Sequence, residues 1–163
     1  MTSKEYAIKC HHETNHLYDG NPYEFHLIMV VDVFDQFKHL ISEDSWQDVE
    51  DACWCHDVIE DCRQTYNDVK SATNEYVAEL VYLLTNEKGR TRKERANEKY
   101  YSGIRKDKNA IFIKLCDRIA NYNYSKISGS RMAQVYEKEM DLFLSKLDVY
   151  QYFPDMVKYI KNI

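Results

Sequence analysis

Apolar residues recur every three to four positions along nearly the whole chain, the spacing that gathers them on one face of an α-helix. A first helix is expected over residues 4–14, followed by a turn at Tyr18-Asp19-Gly20-Asn21-Pro22. Pro22 suits a first helical turn, so a second helix is expected from there to about Ile41. Ser45 with Asp48 resembles a helix start and opens the segment 46–62, and Thr65 with Asp68 repeats the capping pattern before a short helix. Thr73 is expected to cap a helix over 74–85, whose Val77, Leu80, Val81 and Leu84 share a face. The charged stretch Asn86–Arg95 reads as a loop entering a helix near 92–104. Asp107 then caps a helix through Ile111, Leu115 and Ile119. Ser128-Gly129-Ser130 breaks the pattern, 131–150 resumes it, and Pro154 opens a last short helix. No repeat, low-complexity tract or long linker interrupts this, so the expectation is one all-α domain over residues 1–163.

Composition supports helices: four glycines and two prolines are too few for the turns of an all-β chain of 163 residues. A net charge of -5 argues against stable, nonspecific nucleic-acid binding but leaves room for a locally positive pocket. The longest strongly apolar run near the front, Leu27 to Val31, is far short of the roughly 20 residues that span a bilayer, so no membrane partner is expected. The opening residues carry no basic-then-apolar leader and the five cysteines form no secreted-type framework, which leads us to expect a reduced, cytoplasmic protein.

Chemistry concentrates in three segments. The first is Cys53-Trp54-Cys55-His56-Asp57-Val58-Ile59-Glu60-Asp61-Cys62. On a helix His56 and Asp57 diverge by about 100°, yet both can reach one ion at its edge. An imidazole and a carboxylate together suit a borderline or hard divalent ion. Glu60 and Asp61 follow at spacings that let all four polar groups project from one side of one helix, leaving Val58, Ile59 and Cys62 for the core. A lone His-Asp pair is more often part of a solvated face. Here the acids emerge directly from the apolar stretch Ala52–Cys55, and acids lining a cleft need a compensating ion or proton. The second segment is Lys114-Leu115-Cys116-Asp117-Arg118-Ile119-Ala120-Asn121, where Asp117 sits in an apolar helix with Asn121 one turn on. Asp117 is either a ligand or the partner of Arg118 or Arg105 in a structural ion pair. The third is Tyr18 to His26, which puts His26 in the first turn of its helix, a position often merely structural. A zinc site on Cys53 and Cys55 is disfavoured, because residues two apart on a helix point in nearly opposite directions, and Cys10 and Cys116 read as core. The basic loop Lys88–Arg95 reads as solvated surface or as a contact for distal phosphates, and Tyr100, Tyr101, Tyr122 and Tyr124 as core or rim residues or as a base-stacking wall.

Together the three segments resemble the HD-domain superfamily of metal-dependent phosphohydrolases, and within it the alarmone hydrolase branch. The matching blocks are Gly20-Asn21-Pro22-Tyr23-Glu24-Phe25-His26, His56-Asp57-Val58-Ile59-Glu60-Asp61 and Lys114 to Asn121, in the family's order and spacing. The resemblance implies a helical bundle holding one divalent ion, usually manganese with iron or zinc as alternatives, by His26, His56, Asp57 and Asp117. It implies that Glu60 and Asp61 flank an attacking water and that Asn121 helps hold a nucleoside. Tyr18, Tyr124 and Lys114 are further candidates for substrate contact. The implied activity is removal of the 3′-pyrophosphate from a (p)ppGpp- or (p)ppApp-like nucleotide. The alternatives are an HD-type phosphatase for another nucleotide or phosphorylated metabolite, and a non-catalytic nucleotide-binding module. Two departures bear on the substrate. The family's Arg-Lys pair before the glycine is replaced within Asn15-His16-Leu17-Tyr18-Asp19, and Leu27 stands where the family has proline.

Overall fold

Local capping chemistry sets most helix boundaries in the computed structural model, which describes all residues 1–163. Thr2 and Glu5 form a reciprocal capping box at the start of α1 (Ser3–Glu13). Asp19 and Gly20, both with positive φ (50° and 77°), form the tight turn that pairs β1 (Leu17–Tyr18) with β2 (Asn21–Pro22). Pro22 therefore lies in this small hairpin, and α2 (Glu24–Phe37) begins two residues later than expected, continuing into a 3-10 turn at Lys38–Leu40.

The expected helix 46–62 is broken into α3 (Trp46–Cys55) and α4 (Val58–Asp61). His56 supplies the reason: its Nδ1 bonds to the Cys53 carbonyl at 2.8 Å, the acceptor that the Asp57 N–H would take in a continuous helix. The Thr65–Asp68 capping box opens α5 (Tyr66–Ala72), as the sequence implies. Asn74, rather than Thr73, caps α6 (Glu75–Leu83), because the Thr73 hydroxyl turns back to the Val69 carbonyl at 2.7 Å and closes α5. The helix expected at 92–104 is two: α7 (Arg92–Arg95), capped by Thr91, and α8 (Glu98–Arg105), capped by Asn97. Asp107 caps α9 (Lys108–Ser128), which Gly129 ends in the left-handed conformation. The helix expected over 131–150 stops early, as α10 (Met132–Lys146); Asp148, at φ 55°, turns the chain into α11 (Val149–Tyr152) and then α12 (Pro154–Lys161).

A helix buried on every side is central, and α9 is the case: residues 110–113 and 115–120 are all buried, Asp117 and Arg118 among them. It packs on α2, α3, α6, α8 and α10, with Phe112 edge-on to Phe34. One continuous core of 43 buried residues runs through the chain. All five cysteines are free and buried: Cys10 in α1, Cys53 and Cys55 in α3, Cys62 just after α4, and Cys116 in α9. No helix is long and apolar enough to cross a membrane.

Candidate metal centre

The break after α3 has a direct chemical result. It turns His56 and Asp57 away from the helix axis and toward His26, on the first turn of α2, and Asp117, midway along the buried α9. Four donor atoms converge there. His26 Nε2 is 3.0 Å from Asp117 Oδ1 and 3.9 Å from Asp57 Oδ2, while His56 Nε2 is 3.0 Å from Asp57 Oδ2 and 3.3 Å from Asp117 Oδ1. Adjacent ligands around an octahedral ion bound at about 2.1 Å lie about 3.0 Å apart, so this spacing suits a small divalent ion.

Orientation supports the same fit. His56 Nε2 is buried and has no aligned hydrogen-bond partner, although two carboxylate oxygens stand close by. With Nδ1 engaged by the Cys53 carbonyl, Nε2 is the nitrogen offered to the centre. Burial opposes charge on His56, but the Asp57 and Asp117 carboxylates outweigh it and hold the imidazole well above its ordinary pKa. Burial likewise opposes ionisation of Asp57, and His56 reverses that. Asp117 is held far below the usual carboxylate range against its burial, chiefly by Lys114. Its partner is therefore Lys114, at 3.2 Å, and neither Arg118 nor Arg105: Arg118 pairs with Glu139 and Arg105 with Glu98.

Glu60 and Asp61 reach the same cavity, of about 150 Å³, from α4. Asp61 is pushed up to about 7 by burial and by the neighbouring Asp57 and Glu60 carboxylates. Glu60 rises for the first two of these reasons with Asp57 as neighbour, while its Oε1 accepts a bond from the Asn86 N–H at 2.8 Å. Because the helix is interrupted, the four polar groups of 56–61 do not share one helical face; the histidine and first aspartate leave α3, and the acid pair belongs to α4.

The candidate substrate contacts divide. Lys114 and Asn121 line the cavity. Tyr18 and Tyr124 stand behind it: the Tyr18 ring stacks on His26 at 4.7 Å and its hydroxyl donates to Asn121 Oδ1 at 2.7 Å, while Tyr124 packs on Tyr18 and Phe25 and bonds to Asp19. Tyr100 and Tyr122 are core residues. Tyr101 lines a second opening of about 420 Å³ that shares Asn86, Lys114, Asp117 and Asn121 with the first, so the two form one cleft. Arg92, Lys93, Arg95, Lys114 and Arg118 face this part of it against Asp117 and Glu139, five cations to two carboxylates in a chain of net charge -5. The basic loop is fixed in place: at Gly89 a Cβ would come within 2.6 Å of Glu94 Cβ, and the Glu87 N–H donates to the Arg95 carbonyl at 3.0 Å.

Tyr23 was not singled out by sequence reasoning, although it lies three residues before His26 and so on the same side of the chain. Its hydroxyl donates to Asp57 Oδ2 at 2.5 Å. Arg118, weighed from sequence only as a partner for Asp117, instead pairs with Glu139 at the cleft and stacks over Phe143 at 3.9 Å.

No family profile matches the chain. Among solved structures, a metazoan ortholog of SpoT, described as hydrolysing ppGpp and playing a role in starvation responses, is similar to it with a TM-score of 0.70 and 22% identity. The match covers 97% of this chain and 90% of the other. That likeness shows the fold: the chain shares the all-helical bundle of that structure, the fold class expected from the sequence.

Proposed function

We propose that this chain is a metal-dependent phosphohydrolase that removes the 3′-pyrophosphate of a (p)ppGpp- or (p)ppApp-like nucleotide. The observation that carries the reading is the convergence of His26, His56, Asp57 and Asp117 on one point, with His56 Nε2 buried and unaligned to any hydrogen-bond partner. These four residues would hold the ion, with manganese the first choice. When bound, it supplies Lewis acidity to a phosphoryl oxygen and makes a nearby water more acidic.

The chain's own groups account for the rest. Asp61 lines the cavity beside the four converging residues and is placed to accept a proton from the attacking water. Glu60, anchored through the Asn86 N–H, stands beside it to orient that water. Lys114 uses one of its N–H groups on Asp117 Oδ2 and has others free for substrate oxygens. Arg92, Lys93, Arg95 and Arg118 line the way out of the cavity, where a polyphosphorylated substrate would leave its distal charge. The ppGpp-hydrolysing neighbour of the same fold supports the substrate class.

One observation favours a second reading, an HD-type phosphatase for a different nucleotide. Tyr18, in the turn where the resemblance leads one to expect an Arg-Lys pair, already holds Asn121 and covers His26, which changes how a nucleoside would be held there.

The deciding experiment is hydrolysis of a panel of phosphorylated nucleotides with added manganese, with the Glu60→Ala/Asp61→Ala double variant as control. Pyrophosphate release from a 3′-pyrophosphorylated nucleotide, lost in the variant while it still binds metal, is the expected result. Phosphate release from other members instead selects the second reading. No turnover of any member by a metal-loaded chain overturns both.

A further inference from the structure

On the far side of Tyr23 from Asp57 lies a second group of metal-type donors. His11, near the end of α1, is fully buried; Cys62, just after α4, is 2% exposed; His16 enters β1 and is half-buried. His11 Nδ1 is 2.9 Å from His16 Nδ1 and 3.1 Å from Cys62 Sγ, and the three ligand atoms all lie within 4.8 Å of one another. Backbone geometry presets the arrangement: Asn15 takes a positive φ of 52°, and the His16 N–H donates to the His11 carbonyl at 3.0 Å, bringing both rings to one side.

Hydrogen bonding leaves this cluster underpaired in either tautomer of His11. A protonated Nδ1 donates to one neighbour and has no lone pair for the other; a bare Nδ1 has one lone pair for the two of them. Nε2 on the opposite edge is buried without a partner in both cases. Burial keeps His11 neutral, driving its pKa down to about 3, so the ring is available as a ligand.

We propose that His11, His16 and Cys62 form a second metal site, separate from the first, for a thiophilic divalent ion of the zinc class. Two imidazoles and a thiolate are a donor set that such an ion prefers over manganese. Binding replaces the thiol proton, which leaves to solvent, and the Thr14 hydroxyl already points at Cys62 Sγ, 3.8 Å away, to support the thiolate. Tetrahedral donors around zinc lie about 3.3–3.6 Å apart, so loading spreads the resting contacts by about half an ångström.

The ion would pin the end of α1, the entry to the hairpin and the end of α4, the helix that carries Glu60 and Asp61. It would also act on the first site through Tyr23. The rings of His11 and His16 stack on Tyr23 at 4.2 and 4.0 Å, and the Tyr23 hydroxyl holds Asp57. Tyr23 is thus a positioning residue between the two sites.

Titration of the metal-free protein with cobalt(II) alone tests this, because a cobalt–thiolate bond has a near-ultraviolet charge-transfer band that the thiol-free first site cannot produce. The expected result is that band in the wild type and in His26→Ala, its loss in Cys62→Ser, and at least about tenfold weaker cobalt binding at this site in His16→Ala. Wild-type protein should also bind one more zinc per chain than Cys62→Ser. Absence of the band in folded wild-type protein overturns the proposal, as does an equal zinc count in wild type and a folded Cys62→Ser variant, or an unchanged cobalt affinity in folded His16→Ala.

Discussion

Replacing Asp117 by Asn should destabilise the metal-free protein, even though it removes one acid from a crowded acidic site. The Asp117 carboxylate is 3.0 Å from His26 Nε2, 3.3 Å from His56 Nε2, 3.2 Å from Lys114 Nζ and 3.0 Å from Asn121 Nδ2. At an effective dielectric of about 20, a pair of charges at the Lys114 separation attracts by about 5 kcal/mol before desolvation. Like-charge repulsion from Asp57 works the other way, but His56 at 3.0 Å neutralises much of it. Lys114 is only 17% exposed and keeps its charge after the substitution, and stranding a buried cation typically costs about 3–5 kcal/mol. With an oxygen retained by Asn, we expect the low end, about 3 kcal/mol, and a melting temperature lower by about 6–12 °C. Urea unfolding in the presence of a chelator measures this directly. Lys114→Met in the same cycle should rescue part of the loss, giving a coupling of about 2 kcal/mol. A neutral or stabilising Asp117→Asn, or a coupling below about 0.5 kcal/mol, would refute the reasoning and show that repulsion between the carboxylates outweighs the attraction of Lys114.

Other outcomes follow from the same geometry. Manganese at about a hundred times its dissociation constant should stabilise the chain by about 2.7 kcal/mol, read as a rise in melting temperature; His56→Ala should abolish the rise, and a wild type that does not respond would remove the centre from consideration. Tyr23→Phe deletes the 2.5 Å bond to Asp57 and should weaken manganese binding by about 10–100-fold while leaving helix content unchanged; unaltered affinity would mean the hydroxyl does not orient the ligand. In metal-free protein the folded chain keeps a proton on Asp61, whose pKa is raised from 3.8 to about 7, after the unfolded chain has released it. Stability should therefore fall as pH rises through that window, and Asp61→Asn should flatten the decline; identical slopes for the two proteins would contradict the assignment.

Periodicity made the helical class legible, and the family resemblance singled out His26, His56, Asp57 and Asp117, four residues that the fold brings to one point. What they could not convey was competition for a single acceptor. The interruption between α3 and α4 depends on whether a side chain or a backbone N–H takes the Cys53 carbonyl, and a pattern of apolar residues says nothing of that contest. The Asn74 cap was lost in the same way, since Thr73 and Asn74 are both good capping residues and the choice rests on Thr73 bonding backward. Asp117 was hard for a different reason. Its nearest cation is Lys114, three residues earlier on the same helix, whereas the adjacent Arg118 swings to Glu139 on α10. The His11–His16–Cys62 group was invisible because Cys62 is 46 or more positions away from both histidines, and the cysteine pattern directed attention to Cys53 and Cys55 instead.

The five buried thiols have a kinetic consequence. A thiol sealed from solvent reacts with an alkylating reagent only when the chain around it opens, so each cysteine times the exposure of its own element. Cys116 on the central helix and Cys53 beneath it report disruption of the whole core, whereas Cys10 reports the release of the first helix alone. None lies in the last three helices, so those can fray without contributing to the label. The mass of the alkylated protein, followed over time, would thus separate peeling of the amino-terminal helix from collapse of the centre, with no probe added to the molecule.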